Sequence, residues 1–232
     1  MLSMLWLVAI ALFLPPAAFG QAVDTAVDAE KNKPKLRFVC ISCLAEDQKV
    51  VLASHDEKGG WKELGEFSIR SSFITAWVPA MAGELHLALR EEGTLKSICH
   101  FNYPAGTRRG MAILTADPKN QGYRANVIDP EKLAFAKGSV LLVNFSPQSG
   151  VVLLGSNKVA IQAGQQLVSK PALEDNGMYR MMVAYIGADK KPVPCYDRYT
   201  QGNPDSRDIL FLLPDPMLGL RALSFPIFGE LD

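Results

Sequence analysis

One pattern of residues occurs twice in this 232-residue chain, and it limits the fold more than any other feature. The first copy runs Cys99-His100-Phe101-Asn102-Tyr103, then the largely apolar stretch Arg109 to Pro118, then Gly122-Tyr123-Arg124-Ala125. The second runs Cys195-Tyr196-Asp197-Arg198-Tyr199, then Arg207 to Pro216, then Gly219-Leu220-Arg221-Ala222. Both copies keep Cys-x3-Tyr, an Arg eight residues ahead of Asp-Pro, and Gly-x-Arg-Ala. Matching order at nearly matching spacing indicates an internal duplication.

The segments around these copies read as strands. Leu36–Cys43, Lys49–Ala53, Trp61–Ile69 and Phe73–Val78 lead into the first copy, with Gly59-Gly60 supplying a hairpin turn. Glu84–Arg90 alternates cleanly: Leu85, Leu87 and Leu89 share one face, and Glu84, His86 and Arg90 the other. That is the pattern of a half-buried strand. Gly138–Ser146, Val151–Leu154, Val159–Ile161 and Tyr179–Ile186 take the corresponding places before the second copy. No window sustains apolar residues at i, i+3, i+4 and i+7, so only a single helical turn is expected, near Pro130 at the join. The expected fold is all-β: two tandem immunoglobulin-like β-sandwich repeats, residues 36–128 and 139–232, with a linker over 129–138.

The N-terminal stretch has a different character. Met4 to Leu14 is an apolar run of eleven residues, too short for a helix across a hydrocarbon core, which needs about 20. Pro15-Pro16 breaks it, and Ala18-x-Gly20 offers small residues for cleavage before Gln21. No Lys or Arg precedes the run, so only the terminal amine supplies the positive end. The reading is a signal peptide over 1–20, a polar flexible leader over 21–35, and an extracytoplasmic protein with no stable membrane span after cleavage. Lys and Arg total 24 and Asp and Glu total 24, so the excess of cations that nucleic-acid binding requires is absent.

Four cysteines follow the signal segment: Cys40, Cys43, Cys99 and Cys195. In an oxidising compartment they suggest two disulfides, with Cys43–Cys99 and Cys99–Cys195 among the pairings. Cys40-x-x-Cys43 could instead serve redox or metal chemistry. However, no helix follows it to lower a thiol pKa, and Cys99-His100 is a poor second ligand pair on a strand. His55, His86 and His100 belong to no hydrolase or metalloprotease motif. Asp205 and Asp208 offer two carboxylates where calcium wants six to eight oxygens, so they read as ordinary turn residues.

The repeated polar residues Tyr103, Arg109, Arg124, Tyr199, Arg207 and Arg221 are the candidate binding set, although residues kept in a duplication more often maintain the fold. Trp61, Trp77, Phe101 and Tyr103 could present an aromatic surface to sugars or peptides, although aromatics in β domains are more often core. The leading expectation is an exported, non-catalytic module without a cofactor that binds a protein or polysaccharide partner. An extracytoplasmic hydrolase with a histidine/carboxylate site, and a metal or thiol protein built on the CxxC segment, are the alternatives.

Overall fold

The computed structural model describes residues 33–187, 191–217 and 219–227, so the expected signal segment lies outside the described residues. The first half holds β1 (Lys35–Cys40), β2 (Gln48–His55), β3 (Trp61–Ile69), β4 (Phe73–Ile74), β5 (Val78–Pro79), β6 (Gly83–Glu91), β7 (Thr94–Tyr103), β8 (Arg109–Asp117) and β9 (Gly122–Ile128). The second holds β10 (Val140–Asn144), β11 (Gly150–Leu154), β12 (Asn157–Ile161), β13 (Gln166–Ser169), β14 (Met178–Ile186), β15 (Pro192–Gln201), β16 (Arg207–Asp215) and β17 (Gly219–Ile227). Among the described residues the only helical element is a 3-10 turn, Pro118–Asn120, so the chain is all-β as its spacing predicts.

Four sheets result. Sheet I is β3-β2-β6-β7, and sheet II is β4-β1-β8-β9 with β5 also on β1. Sheet III is β13-β10-β16-β17, and sheet IV is β12-β11-β14-β15. In both halves the first strand runs parallel to the penultimate one, β1 beside β8 and β10 beside β16. The other pairings are antiparallel.

Side-chain alternation stacks these sheets in sequence. Leu36, Phe38, Ala112 and Leu114 of sheet II share a core with Leu52, Leu85, Leu87 and Phe101 of sheet I. From the other face of sheet II, Val39, Met111 and Ile113 meet Leu141, Val143, Ile209 and Phe211 of sheet III. Sheet III then turns Leu142, Leu210 and Leu212 towards Val152, Met181 and Val183 of sheet IV. The sandwich-like order is therefore I, II, III, IV, and the strands of II and III are covered on both faces. Such strands read as unbroken apolar runs, as Met111–Leu114, Val140–Val143 and Ile209–Leu213 do, and only strands with a wet face alternate.

Local departures from the sequence reading have physical causes. The segment Phe73–Val78 splits into β4 and β5, each pairing with β1 for two residues. Gln166–Ser169, too short to show a pattern in the sequence, forms edge strand β13. The join forms hydrogen-bonded turns, among them one i to i+4 bond from the Leu133 N–H to the Asp129 carbonyl at 3.2 Å. Asp129 Oδ1 accepts the Glu131 and Lys132 N–H groups at 3.1 and 3.3 Å, and the Phe135 N–H donates to the Pro130 carbonyl at 2.9 Å.

Phe211 is 0 % exposed in the layer between II and III. Phe211→Ala is expected to cost about 3–5 kcal/mol of unfolding free energy, the usual range for truncating a buried Phe. Urea denaturation measures it.

Candidate functional site

The two halves end differently where their first and penultimate strands begin. In the first half, Tyr103 of β7 fills that end: it is 1 % exposed, and its hydroxyl lies 3.0 Å from the Lys35 carbonyl and 3.2 Å from that of Thr107. Its ring occupies the space beside Gly110. A Cβ at that glycine would come within 2.5 Å of the ring, so no other residue fits there without moving it. Gly110 pairs with Leu36 as Asp208 pairs with Val140, so Asp208 holds the matching place in the second half.

There the plug is missing. Tyr199, matched to Tyr103 by sequence, is 64 % exposed. A cavity of about 270 Å³ lies at that end, lined by Tyr179 and Asp208 with Val140, Leu173 and Pro204, and Lys137 and Lys170 also border it. Tyr179, on β14 opposite Thr200, is 0 % exposed. Among the described residues its hydroxyl is the one buried hydroxyl without a hydrogen-bond partner. The half-buried Asp208 carboxyl has no ion pair or side-chain hydrogen bond among the described residues, although the Asp208 N–H donates to the Ser139 carbonyl at 3.1 Å. Burial raises the Asp208 carboxyl above its ordinary value. Burial, then the nearby Asp208 and Tyr196, raise the Tyr179 phenol. The nearby serines are already engaged: Ser139 Oγ donates to the Ala136 carbonyl, and Ser206 Oγ to that of Asn203 at 3.4 Å. Tyr179 and Asp208 thus hold spare hydrogen-bonding capacity in one small concavity.

All three histidines gather on the outer face of sheet I. The His55 ring stacks on Trp61 at 4.2 Å between centroids, His86 meets His55 edge-on at 5.0 Å, and His100 lies 6.1 Å from His86. His86 Nδ1 is 3.0 Å from Ser97 Oγ, and its Nε2 is 4.0 Å from Glu84 Oε1, beyond hydrogen-bond reach. Ser97 Oγ also lies 3.3 Å from the Cys99 carbonyl, so its proton has a backbone acceptor. Burial lowers the His86 pKa against the opposing effect of Glu84, which favours the neutral ring. A serine, a histidine and an acid are close together here, but the acid does not orient the imidazole as a hydrolytic relay requires.

The cysteines correct the disulfide expectation, since all four are free thiols. Cys99 sits in sheet I and Cys195 in sheet IV, three sheet spacings or about 30 Å apart, whereas a disulfide needs Cα atoms within about 7 Å. Cys40 and Cys43 lie close enough for each to influence the other's pKa. Burial, followed by the neighbouring Cys43, pushes Cys40 up to about 12, and burial pushes Cys99 to about 11, so neither is a thiolate at neutral pH. No group of three or more His, Cys, Asp or Glu among the described residues is placed to hold a metal ion.

The six repeated residues are spread through the fold. Arg109 lies with Arg37 against Trp77, their guanidinium carbons 5.4 and 4.2 Å from the ring centroid. Arg207 is buried, with its Nε donating to the Phe135 carbonyl at 2.8 Å. Arg124 pairs with Asp117 at 2.9 Å, and the same carboxylate oxygen accepts the Asn120 amide, which fastens the β8–β9 hairpin. That hairpin is eight strand residues from Arg109, about 27 Å at roughly 3.4 Å per residue. Arg221 is exposed. Of the aromatic set, Phe101 and Tyr103 are core, and Trp61 stacks with His55 on the open face.

Sequence reasoning took Asp208 for a turn residue and Tyr179 for an ordinary strand position. The signal was an acid where the first copy has Gly110, a difference that matters only once both are known to point into a core. No known protein-family model matches the chain, and no curated protein matches it in sequence.

Because the folded state holds Asp208 above its ordinary pKa, it retains a proton that the unfolded chain gives up. This contribution to stability is complete below the unfolded pKa and is lost as pH rises through the folded one. Asp208→Asn, always neutral, is therefore expected to melt higher than wild type at pH 7. The gain should disappear near about pH 3, and thermal melts at the two pH values check it.

Proposed function

We propose that this protein is an exported, non-catalytic module that binds a polysaccharide through the open end of its second half. The observation that carries the reading is the unpartnered Tyr179 hydroxyl beside the unpaired Asp208 carboxyl, in a cavity of about 270 Å³. A fold leaves a buried hydroxyl unsatisfied at a cost of about 1–3 kcal/mol, and a ligand that bonds to it recovers that loss. The volume lies just below the range for drug-sized ligands, about 300–1,000 Å³, and suits one sugar ring. A diol supplies both an acceptor for the phenol and a donor for the carboxyl, while Val140, Leu173 and Pro204 offer apolar surface to ring C–H groups. A protein partner, the other class left open by the sequence, would have to deliver a single side chain into so small a space. Export is supported by the Met4–Leu14 run and the small residues after it.

The same proposal takes the halves as products of one duplication of an immunoglobulin-like unit, with 129–138 joining them. Support comes from the repeated motif and from the shared strand order, including the parallel first and penultimate strands. After duplication, one copy keeps Gly110 and the Tyr103 plug, and the other carries Asp208 and an open end.

Isothermal titration against a panel of oligosaccharides tests the reading. Tyr179→Phe, which removes one hydroxyl and leaves the ring, should weaken the best binder about tenfold, consistent with a buried hydrogen bond. A panel with no binder, or a variant that binds like wild type, contradicts it.

A further inference from the structure

Resting on that reading, we infer that the pocket selects an acidic sugar, a hydroxylated ring bearing a carboxylate or a sulfate. Tyr179 and Asp208 offer hydrogen-bonding groups inside the cavity. Its border is cationic: Lys137 and Lys170 are both exposed, and neither forms an ion pair among the described residues. An amine-bearing ligand would suit Asp208 but would have to pass these two ammonium groups. A ring with hydroxyls inward and its anion outward meets both requirements. The anion would remain in partly solvated surroundings, where charge pairing costs little desolvation.

The chain as a whole gives no general attraction for a polyanion, since its formal net charge is zero. Selection must therefore come from the local pair of lysines, and it must weaken with salt as exposed charge interactions do. The two lysines lie outside the core, so replacing them leaves the packing of Tyr179 and Asp208 intact.

Titration calorimetry with the full chain compares oligomers of a neutral glucan, a uronate and a sulfated glycan at 50 and 500 mM NaCl. The uronate or the sulfated oligomer should bind at least about tenfold tighter than the glucan at low salt, and the stronger of the two names the anion. Lys137→Ala/Lys170→Ala should erase that preference and the salt dependence, while Lys58→Ala in the distant β2–β3 turn should change neither. Tyr179→Phe should weaken all binding oligomers alike. Equal affinity for neutral and acidic oligomers, or a preference that survives in the double variant, overturns the acidic assignment and leaves polysaccharide binding standing. Acidic oligomers that bind Tyr179→Phe as tightly as wild type overturn it too, by placing the contact elsewhere. No binding by any of the three removes the underlying reading as well.

Discussion

The apolar layer between sheets II and III is the contact on which the other layers depend. Val39, Met111 and Ile113 on one side and Leu141, Val143, Ile209 and Phe211 on the other are at most 1 % exposed. Without that contact both inner sheets would present a large apolar face to water, a costly exposure that favours association. Each inner sheet also forms the floor of its own sandwich, so the central strands β1, β8, β10 and β16 serve two cores at once. The parallel β1–β8 and β10–β16 contacts fit this position, because parallel pairs occur where both faces are covered.

Against this apolar frame the polar interior is mostly satisfied. Asn144 is 0 % exposed, yet its amide donates to the Gln148 and Gln162 carbonyls and its oxygen accepts the Ser146 N–H. Tyr103 has two carbonyl acceptors for one proton. Tyr179 has neither, and it shares its cavity with a carboxyl that burial makes reluctant to ionise. These two features in one concavity are what supports the proposal of a ligand there. The first half shows that the same end can be closed when a tyrosine and a glycine occupy the matching places.

The fold was more legible in the chain than the site was. Alternation in Glu84–Arg90 and the absence of helical periodicity are local signals, met by strand β6 and by the all-β architecture of the described residues. The stacking order was not visible, because an unbroken run such as Ile209–Leu213 shows burial on both faces without naming what covers either. Pairing Cys99 with Cys195 failed for the same reason: the two cysteines lie in sheets I and IV, the two outermost layers. Of the site residues, Arg207 stood out by repetition yet serves the fold by bonding the Phe135 carbonyl. Asp208 stands in the strand register where the first half has Gly110, and this difference between the halves falls at the cavity.

If the II–III layer makes the two halves one cooperative body, native-state hydrogen exchange under increasing denaturant tests it most directly. The amides of β1 and β8 should exchange only by global unfolding, with the same free energy and denaturant slope as those of β10 and β16. If one pair exchanges through an opening that leaves the other protected, each half holds itself together independently, and the shared layer is not what the structure depends on.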